Sequence, residues 1–309
     1  LHPRVRRQRQ MCIRDRMKNK LSLFAVPYVG WMSIFVVAPI IIMVVYAFST
    51  AAGDFTLENF ARMGTYTAVF TRSFKLAIIA TLIALLIGYP VSYMLSKEGP
   101  QVQRIAMVLI MLPMWMNFLL RTYSWMSILE NNGLLNQLFQ QIGLIDLYNQ
   151  IAMHFASDPA AYVPIDHFQM IGTQGAVVLG MVYNYLPFMI LPIYSVLVKL
   201  DHSLIEAARD LGASSVQVFR KVILPLSLPG VLSGITMVFV PSVSTFAISR
   251  LLGGGTQMML GDLIEQQFLG GAYNPQLGAA IALVMMAIVV VCMLVMNRFG
   301  DGEEQAVML

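Results

Sequence analysis

The sequence predicts an all-α membrane protein with six transmembrane helices and both termini in the cytoplasm, and three observations lead to this fold class. The first is composition: of 309 residues, 58% are hydrophobic and 12% charged, and the mean hydropathy is +0.70. A soluble domain carries about 25% charged residues. So much apolar surface cannot be hidden in one aqueous core, so lipid is the expected solvent. Long apolar stretches and an asymmetric placement of Lys and Arg are the other two observations.

Six apolar stretches are candidates for transmembrane helices, each of which needs about 20 mostly apolar residues. Some contain interruptions, and they lie at 24–48, 73–96, 105–126, 175–198, 229–249 and 276–297. None carries Asp or Glu near its middle. Because proton-coupled carriers usually need such carboxylates, this pattern disfavours them, and it also disfavours an intramembrane enzyme.

Basic residues orient these six spans. With the N-terminus in the cytoplasm, the inner segments hold Lys18, Lys20, Lys97, Arg104, Lys199, Arg209, Arg220, Lys221 and Arg298. The outer side holds Arg62, Arg72, Lys75, Arg121 and Arg250. The long segment 127–174 contains no Lys or Arg. Cytoplasmic loops carry an excess of basic residues, so the distribution predicts both termini inside.

The first sixteen residues differ from the rest of the chain. Residues 1–16 contain six Arg and one Asp, whereas the remainder holds 14 basic and 15 acidic residues. They lack the apolar core of a signal peptide, and Met17-Lys18-Asn19-Lys20 followed by a long apolar run is typical of a natural start. We therefore expect 1–16 to be an appended or mis-translated leader, with a genuine basic tail as the alternative. Residues 17–298 are then the membrane domain and 299–309 a cytoplasmic tail, and the basic pI does not indicate a nucleic-acid partner.

Cysteine and histidine spacing argues against a disulfide framework and a structural metal site. Cys12 and Cys292 are far apart, and neither belongs to a CxxC or Cys/His pattern. The four histidines form no HExxH motif. We therefore expect neither a metal nor a disulfide framework in this chain.

Several spans contain helix-breaking and polar residues. The third span holds Pro113, Asn117 and Arg121, and the fourth and fifth contain further prolines. A proline removes a backbone hydrogen bond, and the freed carbonyl needs a partner in protein or in a water-lined cavity. Each break indicates either a kink satisfied by a neighbouring helix or part of a transport pathway. In the outer segment, apolar spacing over 133–142 predicts a short surface helix.

The most informative segment is the predicted cytoplasmic loop 199–228 between spans four and five. Ser203 and Glu206 have the spacing of a capping box, and Gly212 supplies a left-handed stop. Ser214 then starts a second short helix, which we expect Pro225 and Pro229 to end. The loop therefore predicts two short, rigid helices. An amphipathic linker lying on lipid headgroups is the alternative.

The same loop resembles the cytoplasmic signature of binding-protein-dependent ABC importer permeases. That signature is EAA, three residues, Gly, nine residues and I-x-L-P. The matching residues are Glu206, Ala207, Ala208, Gly212, Leu224 and Pro225, with Val222 in place of Ile. The resemblance implies the type I ABC importer permease fold and a docking contact with a separate ATPase subunit, to which Arg209 and Asp210 would add surface contacts.

The chain itself lacks the phosphate-binding loop of an ATPase. It contains no Gly-Lys dipeptide, and hence no GxxxxGK[ST] motif. We therefore expect a transport subunit that is not an enzyme and binds no cofactor, with ATP and Mg²⁺ bound by a partner ATPase pair.

Three further stretches extend the resemblance to the B-type permease subunits of spermidine/putrescine importers: 112–125, 185–201 and 251–268. This implies a second, C-type permease, an external polyamine-binding protein and a bacterial cytoplasmic membrane. Candidate substrate-path residues are Trp115, Asn117, Tyr123, Trp125 and Tyr183. Aromatic rings bind amines through cation–π contacts, although Trp and Tyr also favour membrane interfaces. Another solute (iron, sulfate or a peptide) and an ion-coupled carrier acting alone remain the alternatives.

Overall fold

The computed structural model describes residues 26–155 and 163–307, and within them the chain is almost entirely helical. The helices are α1 Val26–Ala47 (with a π-helical segment Ser33–Val37), α2 Glu58–Arg62, α3 Thr67–Ser96, α4 Pro100–Met111, α5 Phe118–Leu129, α6 Leu134–Gln141, α7 Leu144–Phe155, α8 Gln174–Leu197, α9 His202–Asp210, α10 Ser215–Val218, α11 Leu224–Ser244, α12 Ala247–Leu252, α13 Leu260–Leu269 and α14 Pro275–Val307. Among these residues, the structure contains one isolated antiparallel β-bridge, between Ser49 and Phe55. The predicted all-α class is confirmed; the predicted leader 1–16 lies outside the described residues.

Among residues 26–155 and 163–307, five helices are long and apolar enough to cross a membrane, and a sixth crossing exists if one bent pair counts as a single span. The predicted fourth span, 175–198, corresponds closely to α8. The second begins earlier than predicted, at Thr67, because α3 also includes the six residues before Ser73. The six predicted spans therefore agree with the five or six membrane helices in the described part of the chain.

The third predicted span, 105–126, is broken rather than straight. Two helical arms, Pro100–Trp115 and Phe118–Gln141, meet at 90°. The break lies at Met116 and Asn117, whose backbones are extended. Asn117 Oδ1 accepts the N–H groups of Leu119 (2.8 Å) and Leu120 (3.4 Å). Since this side chain satisfies unpaired amides of a new helix, the chain starts α5 in a new direction.

The prediction that Pro225 and Pro229 end a helix is wrong. Residues Ser215–Ser244 form one continuous 30-residue helix. A π-helical segment, Phe219–Ile223, precedes α11, and the Leu224 N–H bonds to the Phe219 carbonyl five residues back. Pro225 lies in the first turn of α11, where a proline needs no amide partner. The helix ends instead at Thr245, short of the predicted boundary at 249.

The larger compact unit of the chain comprises 64–273 and 284–309, and its core is formed by α3, α8 and α11. Ala84, Met189 and Val238, one from each helix, are fully buried in one cluster. A Cβ at Gly88 of α3 would lie 2.9 Å from Met189 Cγ, and one at Gly234 of α11 would lie 2.8 Å from its sulfur. The methionine therefore occupies space that side chains on either neighbouring helix would fill.

The smaller unit comprises residues 1–63 and 274–283. Within it, Ala47 at the end of α1 packs against Ala279 and Ala280. Asn59 Nδ2 donates to the carbonyls of Ala47 (3.0 Å) and Ser49 (3.1 Å). Because the last carbonyls of a helix lack intrahelical partners, this amide secures the end of α1.

The described part of segment 127–174 contains the surface helix predicted for 133–142, found as α6, and a second helix, α7, that was not predicted. Two asparagines connect these helices to the backbone of residues 165 and 168. Asn136 exchanges two hydrogen bonds with the Phe168 backbone, both 3.0 Å. Asn149 does the same with Ile165 at 2.8 and 3.0 Å. These amides imitate a backbone pairing and connect α6 and α7 to Phe168 and Ile165.

Candidate functional site

The candidate docking site is built on α9, and its start is set by Asp201. The Asp201 carboxylate accepts the Ser203 N–H at 2.9 Å. The predicted cap at Ser203 is therefore wrong, since that residue lies inside the first turn as a donor. A carboxylate two residues earlier satisfies the free amide and favours the positive end of the helix. The hydrogen bonds from Ser203 lower the pKa of the exposed Asp201 carboxyl below its ordinary value.

The end of α9 confirms the predicted left-handed stop at Gly212, whose φ is +81°. The Gly212 N–H donates to Arg209 O (2.8 Å), and the Ala213 N–H donates to Ala208 O (3.1 Å). This pair of bonds defines a Schellman motif. A Cβ at Gly212 would meet nothing within 4 Å, so the backbone conformation, and not space, requires glycine.

The second short helix begins as predicted. The Ser214 N–H donates to Gln217 Oε1 (2.8 Å), and the Gln217 N–H donates to Ser214 Oγ (3.4 Å). This reciprocal capping box starts α10 one residue after the Schellman turn. The loop is thus two capped helices joined by a tight turn, with little backbone freedom between them.

The docking helix α9 has one face on the bundle and one face exposed. Ile205 and Ala208 pack against the core cluster of α3, α8 and α11. Leu204, Ala207 and Leu211 lie on the exposed side, and Leu211 is 89% exposed. Glu206, Arg209 and Asp210 are exposed around them. We call Leu204, Ala207 and Leu211 the apolar stripe; a stripe of this kind beside charges is suited to a protein partner.

The remaining signature residues have different structural roles. Ala208 is partly buried, Gly212 makes the turn, and Leu224 with Pro225 forms the first turn of α11. The signature therefore specifies a surface and also the rigid support beneath it.

An aromatic cluster, which sequence reasoning missed, fastens the loop to α3. The Phe219 ring lies edge-on to Tyr89 (5.8 Å, 88°) and Tyr93 (5.5 Å, 70°). The Tyr89 hydroxyl lies 2.8 Å from Ser227 Oγ, and Lys97 Nζ lies 3.9 Å from the Tyr93 ring centroid. The spacing of Tyr89 and Tyr93, four residues apart on a helix, was the available signal. The spacing of the two tyrosines does not indicate that Phe219 is their partner.

Two of the five candidate substrate-path residues are in direct contact with each other. Trp125 and Tyr183 are in edge-to-face contact, with ring centroids 5.3 Å apart. Asn117 serves as the cap of α5. Trp115 is 76% exposed, and Tyr123 is also exposed. The geometry therefore joins one aromatic pair, and the substrate role of the five residues stays a prediction.

Buried polar groups lie close to the breaks in the helices. Arg121 is 8% exposed, and its Nε and Nη1 atoms have no hydrogen-bond partner among the described residues. The buried Asn184 donates to Gly180 O (2.8 Å), but its Oδ1 is unpaired in the same part of the chain. Unpaired buried polar groups are costly, so both side chains mark sites that another molecule or a movement can satisfy.

A second polar cluster, also missed from sequence, joins α12 to α13. The buried Asp262 carboxylate accepts from the Ser249 hydroxyl and from the Met259 N–H (3.0 Å). Burial raises the pKa of the Asp262 carboxyl above its ordinary value, although these hydrogen bonds oppose the rise. Arg250 and Glu265 form an ion pair nearby, at 3.0 Å. These contacts hold the two short helices together after the end of α11.

Comparison with known proteins identifies relatives over most of the chain. A sequence profile described as "Binding-protein-dependent transport system inner membrane component" matches residues 84–302. The chain is 35% identical over 286 residues to the spermidine/putrescine transport system permease protein PotB of Haemophilus influenzae, covering 89% of this chain and 93% of that protein. It is also 35% identical over 281 residues to PotB of Escherichia coli K12, covering 88% and 95%.

Solved structures share the fold. A chain in the crystal structure of a bacterial ABC transporter that imports the acidic polysaccharide alginate superposes with a TM-score of 0.69 at 17% identity, covering 94% of this chain and 98% of that one. A chain of the inward-facing MetNI methionine ABC transporter gives 0.51 at 19% identity, covering 80% and 98%. The architecture around α9 is therefore that of ABC importer permeases.

Proposed function

This chain belongs to the family of binding-protein-dependent transport system inner membrane components, and on that premise we propose that it is the permease subunit through which an ATP-driven importer takes up polyamines. Similarity to permease proteins named for spermidine and putrescine transport supports this substrate class. The family and the apolar helices make it a multi-pass membrane permease. We place it in a bacterial inner membrane with both termini in the cytoplasm.

The exposed apolar stripe on α9 is the observation that carries the docking role. Leu211 is large, apolar and 89% exposed, yet it lies on a helix that is rigidly capped at both ends. A rigid exposed surface next to Glu206 and Asp210 fits a groove on an ATPase subunit, because charge surrounding an apolar centre sets the register of an interface.

Energy for transport comes from the partner in this proposal. ATP and Mg²⁺ bind to the ATPase pair, and this chain contributes no phosphate-binding loop. The remaining partners are a second permease, an external polyamine-binding protein and membrane lipid, with no nucleic acid. Trp125 and Tyr183 form the aromatic pair best suited to an amine, because a cation over an aromatic face is stabilised by the ring quadrupole.

Uptake of radiolabelled spermidine by cells with and without this chain tests the proposal. We expect uptake to be lost without the chain and restored by its expression. Loss of iron, sulfate or peptide uptake with spermidine uptake intact would contradict the substrate assignment. Transport by the purified chain alone in liposomes, driven by an ion gradient, would contradict the requirement for an ATPase.

A further inference from the structure

We propose that α3 is the connecting rod of the transporter, with Phe219 and Ser73 as the positioning residues that join its two ends to the docking loop and to α13. This inference rests on the proposed function, because it assumes that α9 receives the movement of an ATPase. The two joints lie at opposite ends of one long helix, Thr67–Ser96. We call the contacts of Phe219 the docking-side joint and those of Ser73 the far joint.

The docking-side joint is a hydrophobic and hydrogen-bonded clamp. Phe219 contacts both Tyr89 and Tyr93 edge-to-face, and such ring pairs favour a specific relative orientation. The buried Ser227 hydroxyl donates to Leu224 O (2.9 Å), so the Tyr89 hydroxyl donates to Ser227. A displacement of the docking loop is therefore resisted by oriented contacts on α3, as well as by packing.

The far joint is a hydrogen bond that completes another helix. Leu260 is the first residue of α13, and its N–H donates to Ser73 Oγ at 2.8 Å. Ser73 is fully buried, and its own proton goes to Val69 O (2.9 Å). The first amides of a helix have no partner within it. The Leu260 amide of α13 therefore depends on Ser73 of α3 for its hydrogen-bond acceptor. If α3 moves away, a buried N–H loses its partner, which is energetically costly.

The stretch between the joints is suited to carrying displacement. Ser73 and Tyr89 are 16 positions apart, which corresponds to about 24 Å at 1.5 Å per residue. The proline inside this helix, Pro90, lies beyond Tyr89, so the connecting segment contains none. Ser92, beyond Pro90, donates to Ile190 O of α8 (3.1 Å). Thus α3 is held laterally while its two ends are attached to different elements.

A second route from the docking loop to α13 runs along the continuous helix Ser215–Ser244, whose end lies against Gly261: a Cβ there would clash with Ser244 O. The continuous helix from Ser215 ends at Ser244, and the following backbone is extended at Thr245. The short helix α12 then intervenes before α13 begins at Leu260. The contacts of α3 include two that depend on named side chains: the ring contacts of Phe219 at the docking loop and the Ser73 hydrogen bond at α13. These two contacts can be removed individually, so the proposal is open to a direct test.

A double-mutant cycle on the complete complex tests whether α3 transmits movement between the two joints. Ser73→Ala, Phe219→Leu and the double variant are reconstituted with the ATPase, second permease and binding protein, and spermidine uptake is measured per ATP hydrolysed. Distant residues with no shared partner usually have independent effects. We expect each single variant to reduce this ratio about fivefold and the double variant to fall within about twofold of the worse single. A multiplied, roughly 25-fold loss, or single variants equal to wild type, would overturn the proposal.

A matched control uses another hydroxyl on the same helix. The buried Thr81 donates only to Ala77 O of its own helix, at 2.7 Å. Thr81→Val should leave the ratio near wild type and should not alter the effect of Phe219→Leu. If Phe219→Leu reduces the amount of assembled complex, Tyr93→Leu removes one ring contact of the same joint and takes its place in the cycle.

Hydrogen exchange at Leu260 provides a readout that needs no substrate. In the wild-type complex, a non-hydrolysable ATP analogue should change the exchange rate of the peptide containing the Leu260 amide about threefold or more. Phe219→Leu should abolish that change while leaving Leu260 exchange without nucleotide unaltered. An unchanged response in the variant would refute the rod. Failure of the wild type to import spermidine would instead refute only the proposed substrate.

Discussion

The docking loop and the third span of this chain contrast in how their residues acquire their roles. In loop 199–228, the caps at Ser214 and Gly212 are hydrogen bonds between residues close in sequence. In the third span, the roles of Trp125 and Arg121 depend on other helices. The first region is organised by local chemistry and presents a surface, whereas the second is organised by packing and contains unpaired polar groups. The predictions below test whether the first region transmits force and the second region contacts solute.

The largest expected effect is that of Gly212→Val. A β-branched residue at a φ of +81° is strained by roughly 1–3 kcal/mol, so the Schellman turn should open and misplace α9. Spermidine uptake by cells should fall at least about tenfold at an unchanged level of chain in the membrane. Asn is tolerated in this conformation, so Gly212→Asn serves as the control and should retain most of the uptake. Equal loss in both variants would indicate that side-chain bulk at the ATPase interface matters instead.

Leu211→Asp should weaken the ATPase contact by about tenfold, the scale of a central interface residue. Because Leu211 is 89% exposed, the thermal stability of the isolated chain should change by no more than about 0.5 kcal/mol. Co-purification of the ATPase with the tagged permease measures the effect. Leu134→Asp makes the same substitution at an exposed leucine of α6 and should leave co-purification intact. If the ATPase is retained by the Leu211 variant, the apolar stripe is not the docking surface.

A smaller effect, on solute affinity, is expected for Trp125→Leu. Loss of one cation–π partner corresponds to about 1 kcal/mol, so KM for spermidine should rise about fivefold with a similar maximal rate. Trp115→Leu removes a tryptophan that is 76% exposed and should leave KM unchanged. A fall in the maximal rate of the Trp125 variant at constant KM would mean that Trp125 acts in coupling and not in solute binding. The two regions would then not differ in function.

The features that the sequence predicts correctly are those formed by local contacts, as in the docking loop. The Gly212 stop and the Ser214 box were predictable because their partners lie within five residues. The cap at Asp201 was assigned to Ser203, since both residue types cap helices and their spacing does not distinguish them. The contacts of Phe219 with Tyr89 and of Trp125 with Tyr183 depend on tertiary packing, whereas the 90° break was missed although its cap at Asn117 is local. The π-helical segment before Pro225 shows that a proline ends a helix only where the preceding turn cannot adjust.

The smallest expected effect concerns the cap at Asp201, where Asp201→Ala removes the acceptor of the Ser203 amide. Amide exchange in the first turn of α9 should become about two- to fourfold faster at pH 7, with little change in uptake. The pKa of this carboxyl is lower in the folded chain than in the unfolded one. The stabilisation is therefore present above the unfolded pKa of about 3.9 and is lost as the pH falls through the folded value. The difference between Asp201 and Ala should accordingly shrink at acid pH, while Asp201→Asn, a neutral cap, should show no such dependence. A constant difference across pH would mean that the carboxylate charge contributes nothing to holding the docking helix.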